Sequence, residues 1–336
     1  MRKMTLLLTL CLLSVMLLAS CGKKDEEDVI GDLSDTWNSL ESYKAEGTLT
    51  LYTGQEPQEY EVEVWHKKPD YYRISLTNKA RDITQIILRN EEGVFVLTPH
   101  LNKSFRFQSN WPENNGQVYL YESMIKDILS DANRIFSTEG DKYVFQTATN
   151  YHNKTLTAQK IWLTKDLKVD KVEVMDADYQ VAVKVQFTNM EFDFDFEDNA
   201  FDMKRNLQGA LLESIPTMVS EQERSQGSFG IYYPAYYPAG EELAEEKEMT
   251  KNGEPMVVLR FAGDDYSFNI VQERPKAKTV DMPVGDIVDL GFTIGVLSER
   301  SLFWTYDGVD FTLTAEGMPK EEMIAVARSV FGQTSK

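Results

Sequence analysis

The spacing of apolar residues changes several times along the chain, and each change predicts a different element of structure. In residues 32–43, Leu33, Trp37 and Leu40 fall at the i, i+4 and i+7 positions of one helical face. After residue 48, apolar and polar residues alternate, as they do in a strand with one buried face, and turn residues close each run. A short helix followed by a series of strands is therefore predicted.

The alternating runs predict about ten strands before residue 203. The gaps between the runs are too short for a βαβ crossover, so neighbouring strands are expected to pair antiparallel. A second helix is predicted at residues 118–129. A sheet this long must curl, and the two helices can fill its concave face. The predicted strands are residues 48–52, 61–65, 72–76, 84–89, 93–98, 103–108, 143–148, 155–163, 169–175, 181–187 and 192–196.

The pattern breaks near Leu207, where a domain boundary is predicted. A helical stretch covers residues 203–219, and residues 225–240 are rich in Gly, Pro and Tyr. A closing helix with Pro319 at its first position is also predicted. The fold class is thus mainly β with α+β: an unclosed antiparallel sheet at residues 32–207 and a small α+β domain at residues 208–336. Strands of the second domain are predicted at residues 255–261, 266–272, 302–306 and 309–314.

The N-terminus has the pattern of a secretory signal peptide. Two basic residues precede an uncharged, Leu-rich stretch at residues 4–18, which is shorter than the roughly 20 residues that a transmembrane helix needs. The following Leu-Ala-Ser-Cys-Gly, with its cysteine at Cys21, resembles the bacterial lipoprotein box. That resemblance implies a signal peptide at residues 1–20, diacylglyceryl transfer to Cys21, and a flexible charged tether at residues 21–31.

Charge and cysteine content exclude several classes of function. The formal net charge is −19, and removal of residues 1–20 takes away two basic side chains and no acidic one, which brings it to −21. Such a chain is not expected to bind nucleic acid, and it is repelled by anionic lipid, so attachment must come from acyl chains. Cys11 lies in the signal peptide, which leaves Cys21 alone in the mature chain. Disulfides, thiol nucleophiles and Cys-based zinc sites are therefore not expected.

No motif for catalysis, metal binding or a cofactor is found. The three histidines, His66, His100 and His152, stand apart from one another, and solvated or capping roles are expected for them. The sequence contains no Gly-x-Ser-x-Gly elbow, P-loop or Gly-x-Gly-x-x-Gly. A non-enzymatic protein is therefore predicted.

Acidic and aromatic residues alternate strictly in residues 191–198. The acids could bind Ca²⁺ or a basic partner, or the run could be a strand with its Phe side chains buried and its acids in water. The second interpretation is favoured, because no Gly-rich loop orders the carboxylates. A hydrolase that uses only Asp and Glu side chains, with Asp193 and Asp195 as its best candidates, is the weakest alternative. Residues 241–246, which are also acid-rich, are expected to be exposed.

Two sets of aromatic and apolar residues are candidates for binding. One set is expected either to line an apolar cavity or to belong to the core, and strand register decides which. The other set could form an interaction surface, because Tyr and Pro give rigid amphipathic area, or it could be an extended strand that enters the second domain. The cavity or core candidates are Val62, Val64, Trp65, Phe95, Phe105, Phe107 and Trp162, and the surface candidates are Tyr232, Tyr233, Tyr236 and Tyr237.

Several segments together resemble the LolA-like lipoprotein-sorting superfamily, and in particular its Gram-positive sporulation lipoproteins of the YdcC type. They are the lipoprotein box, Leu-Glu-Ser-Tyr-Lys-Ala-Glu-Gly at residues 40–47, the strand at 61–65 and Lys-Lys-Pro-Asp-Tyr-Tyr-Arg at 67–73. The likeness covers roughly residues 30–200. The C-terminal part is similar to a domain of unknown function that is often appended to such lipoproteins.

The resemblance implies an unclosed barrel with an apolar lining and a helical lid, which holds acyl chains or a partner segment. It also implies a place on the extracytoplasmic face of the cell membrane, or on a forespore or mother-cell membrane during sporulation. A chain tethered at Cys21 cannot shuttle between membranes as a soluble carrier does. The predicted function is a lipid-anchored sporulation lipoprotein that binds acyl chains or lipoprotein. The alternative is an interaction module that positions or activates another envelope protein, such as a spore-cortex hydrolase.

Overall fold

A computed structural model describes most of the chain and divides it into two compact units, one that ends at Ser39 and one that begins at Leu40. The described residues are 24–52, 57–107, 111–112, 117–149, 156–213, 230–238, 240–251, 253–263, 265–274, 279–282, 285–290, 293–306 and 308–330. The predicted signal peptide and Cys21 lie outside these ranges.

The first unit contains helix α1 (Glu26–Ser39). The helix begins inside the segment predicted as a flexible tether, so residues 26–31 are helical instead, and it ends before Tyr43. The Asp28 N–H donates to Asp25 Oδ1 at 3.0 Å, and the first turn is acidic, which complements the positive end of the helix dipole. Apolar spacing alone could not reveal this start, because the first turn is marked by charge.

The second unit contains a sheet of twelve strands in the order β15-β6-β5-β4-β3-β2-β1-β11-β10-β9-β8-β7. All described pairs are antiparallel except β15 with β6, which is parallel. Among the described strands, the edge strands β15 and β7 do not pair with each other, so the predicted open antiparallel sheet is confirmed. The strands are β1 (Ser42–Leu51), β2 (Gln58–Lys67), β3 (Tyr71–Asn78), β4 (Ile83–Asn90), β5 (Gly93–Thr98), β6 (Lys103–Phe107), β7 (Ile135–Glu139), β8 (Lys142–Ala148), β9 (Leu156–Leu163), β10 (Val169–Asp176), β11 (Val181–Phe192) and β15 (Thr279–Met282).

Helix α2 (Tyr121–Ser130) packs on one face of this sheet, which we name the helix face. The Tyr121 ring lies 5.9 Å from Tyr43 of β1, and Gln159 of β9 donates to Asp127 at 2.6 Å. A buried ladder runs across six strands on the same face. Its members are Ala45, Val64, Ile74, Ile87, Val96 and Phe105.

The opposite face, named the outer face, is partly covered by the chain that follows β11. Phe196 and Phe201 pack there on Phe95 and on neighbouring apolar residues of β4 and β5. Helix α3 (Met203–Glu213) follows at residue 203. The strand predicted at residues 192–196 is wrong beyond Phe192, because Asp193 has a φ of 54° and leaves the sheet.

A second sheet has seven strands in the order β12-β13-β14-β19-β18-β17-β16. Helix α4 (Lys320–Ser329) packs against it through Met323, Val326 and Ala327. Strands β7, β12, β15, β16 and β17 were not predicted, and β15 lies beyond residue 207 yet joins the first sheet. The strands are β12 (Glu242–Lys251), β13 (Glu254–Ala262), β14 (Ser267–Glu273), β16 (Asp286–Asp289), β17 (Ile294–Leu297), β18 (Ser301–Tyr306) and β19 (Val309–Glu316).

Candidate functional site

The residues predicted to line a cavity or fill a core lie on both faces of the first sheet. Val62, Val64 and Phe105 are buried on the helix face. Trp65 and Phe95 point to the outer face, where they pack with the chain after β11. Consecutive strand residues alternate between faces, so Val64 and Trp65 cannot line the same cavity.

Trp162 and Phe107 complete that set. Trp162 lies on the outer face between the Lys160 and Lys171 ammonium groups, 4.6 and 3.6 Å from its ring centre, and its Nε1 donates to Glu139 Oε2 at 2.8 Å. These contacts bury a tryptophan within a charged surface and give it a structural role. Phe107 is described only as a residue of β6, and its side chain lies outside the described part.

In the described part of the chain, the helix face around α2 is filled by the chain's own side chains. Trp111 packs edge-on against Tyr72 with 5.7 Å between ring centres, and Tyr121 packs against Phe192 at 5.2 Å. The most deeply buried residues of this layer are each at most 2% exposed, a packing typical of a protein core. They are Tyr43, Val64, Ile74, Ile87, Val96, Trp111, Tyr119, Tyr121, Met124, Ile125 and Ile128.

A polar group is enclosed in this layer. The Tyr43 hydroxyl donates to Glu122 Oε2 at 3.0 Å and accepts the Tyr121 N–H at 3.2 Å. Burial, and then the charge of Glu122, raises the pKa of both Tyr43 and Tyr72 well above the usual range. Both hydroxyls therefore stay protonated and act as hydrogen-bond donors beside a carboxylate.

His66 lies next to this group and is buried, which corrects the expected solvated or capping role. Its ring stacks on Tyr72 at 4.5 Å, and its Nδ1 lies 3.2 Å from the Tyr71 carbonyl oxygen. Burial lowers the pKa of His66, while Glu122 and the Tyr71 carbonyl raise it in part. His100 lies in a recess between the two sheets, and His152 lies outside the described residues.

The outer face carries a polar recess of about 410 Å³ on β1, β2 and β3. The register places Glu46 opposite Glu63 and Glu63 opposite Ser75, with the corresponding row of Thr48, Glu61 and Thr77 beside it. We name this feature the outer-face recess. Sequence patterning missed it, because each strand contributes only ordinary exposed polar residues, and only the register brings them together.

The Tyr-Pro segment at residues 231–238 joins the second sheet. Tyr232 is buried, and its backbone exchanges two hydrogen bonds with the Gln272 amide. A hydrogen bond to Glu246 raises the pKa of Tyr233 to about 12. Tyr236 and Tyr237 remain 43% and 41% exposed. The segment thus places Tyr232 in the core and Tyr236 and Tyr237 on the surface.

The two acid-rich segments, residues 191–198 and 241–246, agree only partly with the burial expected for them. Phe196 is buried and Asp193 and Asp195 are exposed, as the alternation indicated. In the second segment, Glu242 is exposed, whereas Glu241 is buried and accepts the Tyr266 N–H at 2.9 Å. Within the described ranges, no group of three or more His, Cys, Asp or Glu side chains is arranged to hold a metal ion.

The comparisons with known proteins identify the family. The model described as "Sporulation protein YdcC-like" matches residues 1–201. The chain belongs to the YdcC-like sporulation protein family. It is 44% identical to the sporulation protein YdcC of Bacillus subtilis (strain 168), over 100% of this chain and 99% of that relative. The predicted YdcC type is thereby confirmed.

Solved structures give weaker similarities to this YdcC-like chain. A chain of the MucA/MucB complex of Pseudomonas aeruginosa is 15% identical, with a TM-score of 0.31, over 89% of this chain and 98% of that chain. A chain of the Clostridioides difficile CwlD amidase complex with the GerS lipoprotein is 16% identical, with a TM-score of 0.30, over 52% and 98%. A putative outer membrane lipoprotein-sorting protein domain from Vibrio parahaemolyticus is 14% identical, with a TM-score of 0.30, over 52% and 97%. TM-scores of this size carry no argument about function.

One observation bears on the membrane. Of the helices in the described part of this YdcC-like chain, none is long and apolar enough to span a bilayer. The lipidation predicted at Cys21 lies outside the described residues.

Proposed function

We propose that this sporulation protein is a non-enzymatic interaction module of the cell envelope, which binds another protein and does not carry acyl chains. The observation that supports this choice is the filled helix face. Residues such as Tyr43, Tyr121 and Ile125, which occupy the place of the expected apolar cavity, are fully buried.

The energetics favour a protein partner over an acyl chain. An acyl chain on the helix face would have to displace large buried side chains, and each of these contributes about 1.5–3 kcal/mol when buried. It would also have to break the hydrogen bond from the Tyr43 hydroxyl to Glu122. The buried Glu122 carboxylate would then lack this donor, which costs free energy. A partner that binds on the surface leaves these contacts intact.

Anchoring at the membrane completes the proposal. Diacylglyceryl attachment at Cys21 would hold the module on the extracytoplasmic face of a membrane, where it can position or activate an envelope protein such as a spore-cortex hydrolase. The exposed Tyr236 and Tyr237 offer amphipathic area for such a contact, because tyrosine is enriched at protein interfaces.

Two measurements test this function. In native mass spectrometry, we expect the detergent-free mature chain to show no preference for an acylated peptide over the same peptide without its acyl chain. In sporulating cells, a photo-crosslinking residue at position 236 or 237 should give a protein adduct of reproducible mass. Position 135, where Ile135 is 60% exposed at the far edge of the first sheet, is the matched control and should not give that adduct.

Selective retention of the acylated peptide would contradict the proposal and favour the lipid-handling function. Absence of any reproducible adduct from positions 236 and 237 would also overturn the assignment of this surface.

A further inference from the structure

We propose that the outer-face recess binds a primary ammonium group, the side chain of a lysine presented by the protein partner. This inference rests on the proposed function and names the chemistry that the partner must carry. The recess of about 410 Å³ falls within the size range of protein binding pockets and can hold one lysine side chain with its flanking backbone.

The charge of the recess favours a cation. Lys44 pairs with Glu46 at 2.8 Å and with Glu63 at 3.3 Å, and Arg73 pairs with Glu63 at 2.5 Å. Glu61 has no ion pair with any other described residue. Three carboxylates thus face two cations, so that one negative charge is left for a ligand.

A third cation, Lys79, reaches the recess but brings its own carboxylate, so the excess of one negative charge remains. Lys79 pairs with Glu59 at 3.4 Å and donates to the Thr48 hydroxyl at 3.3 Å. Glu61 itself is exposed, so its carboxylate is accessible at the rim of the recess. An anionic ligand would meet three carboxylates at short range, which opposes its binding.

The largely buried Ser75 gives a second, independent observation. Ser75 lines the recess and is only 9% exposed, and its hydroxyl has no hydrogen bond to another described residue. The hydroxyl opens into the recess, where it can donate a hydrogen bond to a ligand or accept one from it. The other two hydroxyls in this part of the recess are engaged, since Thr77 pairs with Thr84 at 2.8 Å and Thr48 accepts from Lys79.

The register allows one ammonium group to reach both acceptors. Glu63 lies directly opposite Ser75, and Glu61 lies opposite Thr77, one pair further along the same face. Diagonal neighbours on a sheet have Cβ atoms about 7–8 Å apart, and a glutamate side chain spans much of that distance. An ammonium group has three donors, so it can bind the Glu61 carboxylate and the Ser75 hydroxyl together.

The test uses a blocked tri-lysine peptide as the probe, titrated into the mature chain by calorimetry at physiological salt. The Glu61→Gln variant should bind about tenfold more weakly or worse, because a hydrogen-bonded charge pair is removed, and Ser75→Ala should bind several-fold more weakly. Glu242→Gln removes the same charge from an exposed residue of β12 and should change the affinity less than about twofold. The acetyl-lysine form of the peptide should not bind.

This inference would be overturned if tri-lysine does not bind or if the acetylated peptide binds equally well. It would also be overturned if Glu61→Gln and Glu242→Gln weaken binding equally, because equal weakening indicates diffuse attraction of the peptide to an acidic protein. The crosslinking experiment separates the two proposals. An adduct that forms equally well with Glu61→Gln overturns the recess and leaves the interaction function standing. Absence of the wild-type adduct overturns that function, while the titration still decides the recess.

Discussion

At the scale of the residue, Asp193 directs the chain from one face of the first sheet to the other. Its backbone has a φ of 54°, and its N–H donates to the Ser42 carbonyl at 2.7 Å. Before it, Phe192 packs on Tyr121 of the helix face, and after it, Phe196 packs on Trp65 of the outer face. A regular strand would place both phenylalanines on one face.

This conformation makes Asp193 sensitive to substitution. Asp193→Ala should lower the free energy of unfolding by about 1–2 kcal/mol, because the left-handed conformation is costly for a residue with a Cβ and no local hydrogen bond. The variant also loses the Glu41 N–H bond to Oδ1 at 3.3 Å. Urea unfolding measures the change, and Asp195→Ala, which is exposed, is the matched control. Equal stability of the two variants would contradict the assigned role of Asp193.

His66 predicts a dependence of stability on pH. Burial lowers the pKa of His66 in the folded state, and the charge of Lys68 lowers it further. The charges of Glu122 and Asp70 raise it in part. The unfolded chain, with a His pKa of about 6.5, then binds more protons than the folded chain, so stability falls as the pH drops below about 6.5. In urea unfolding at pH 5.5 and 7.5, the wild type should lose more stability on acidification than His66→Gln. Equal losses would show that His66 does not titrate differently in the two states.

At the scale of the element, a β-bulge in β11, where Thr188 is the extra residue opposite Glu46 and Gly47 of β1, shapes the outer-face recess. The pairing with β11 shifts between Glu46 and Gly47, and the Thr188 hydroxyl donates to the Glu46 carbonyl at 3.1 Å. A Cβ on Gly47 would meet the Gln186 carbonyl oxygen at 2.5 Å. The backbones of β1 and β11 approach so closely at this point that a side chain would clash, so only glycine fits at position 47 in this register.

Opposite effects are expected for alanine substitutions at two glycines, one at the bulge and one in helix α1. Gly47→Ala should destabilise the protein by about 1–3 kcal/mol, because backbone must move to admit the methyl group. Gly31→Ala in α1 meets nothing within 4 Å and should stabilise by about 0.5–1 kcal/mol, as alanine does inside a helix. Thermal unfolding of both variants checks the signs. A Gly47→Ala variant as stable as wild type would mean that the bulge relaxes without cost.

How far sequence predicts an element depends on whether its apolar face is buried. The strand at residues 93–98 is found at its predicted bounds, because Val94, Val96 and Phe95 are all buried. Strand β12 was missed because nearly all its side chains are exposed, and its pairing is decided by β13. The outer-face recess was missed for a related reason. Its polar residues come from three strands, and only the pairing register brings them side by side.

At the scale of the whole molecule, the two sheets are joined by specific polar contacts. Strand β15 leaves the C-terminal half and pairs with β6 of the first sheet. Gln85 Oε1 accepts the Thr293 hydroxyl at 2.8 Å and the Ile294 N–H at 3.1 Å. No local pattern could reveal these contacts, because the partners are about two hundred residues apart in sequence. The two sheets are therefore linked by direct contacts, so a partner that binds one sheet binds a unit that includes the other.

The ion pair between Lys103 and Asp310 joins the same two sheets; the Lys103 side chain is buried, and that of Asp310 is 13% exposed. Asp310→Asn should lower the free energy of unfolding by about 3 kcal/mol or more, because a buried ammonium group loses its carboxylate. Lys251→Gln breaks the largely exposed pair with Glu273, 3.3 Å apart, and should cost less than about 1 kcal/mol. Chemical unfolding of both variants, followed by tryptophan fluorescence, gives the comparison. Equal and small costs would mean that the Lys103–Asp310 pair does not help to hold the two sheets together, whereas the expected difference would show that this pair stabilises their contact.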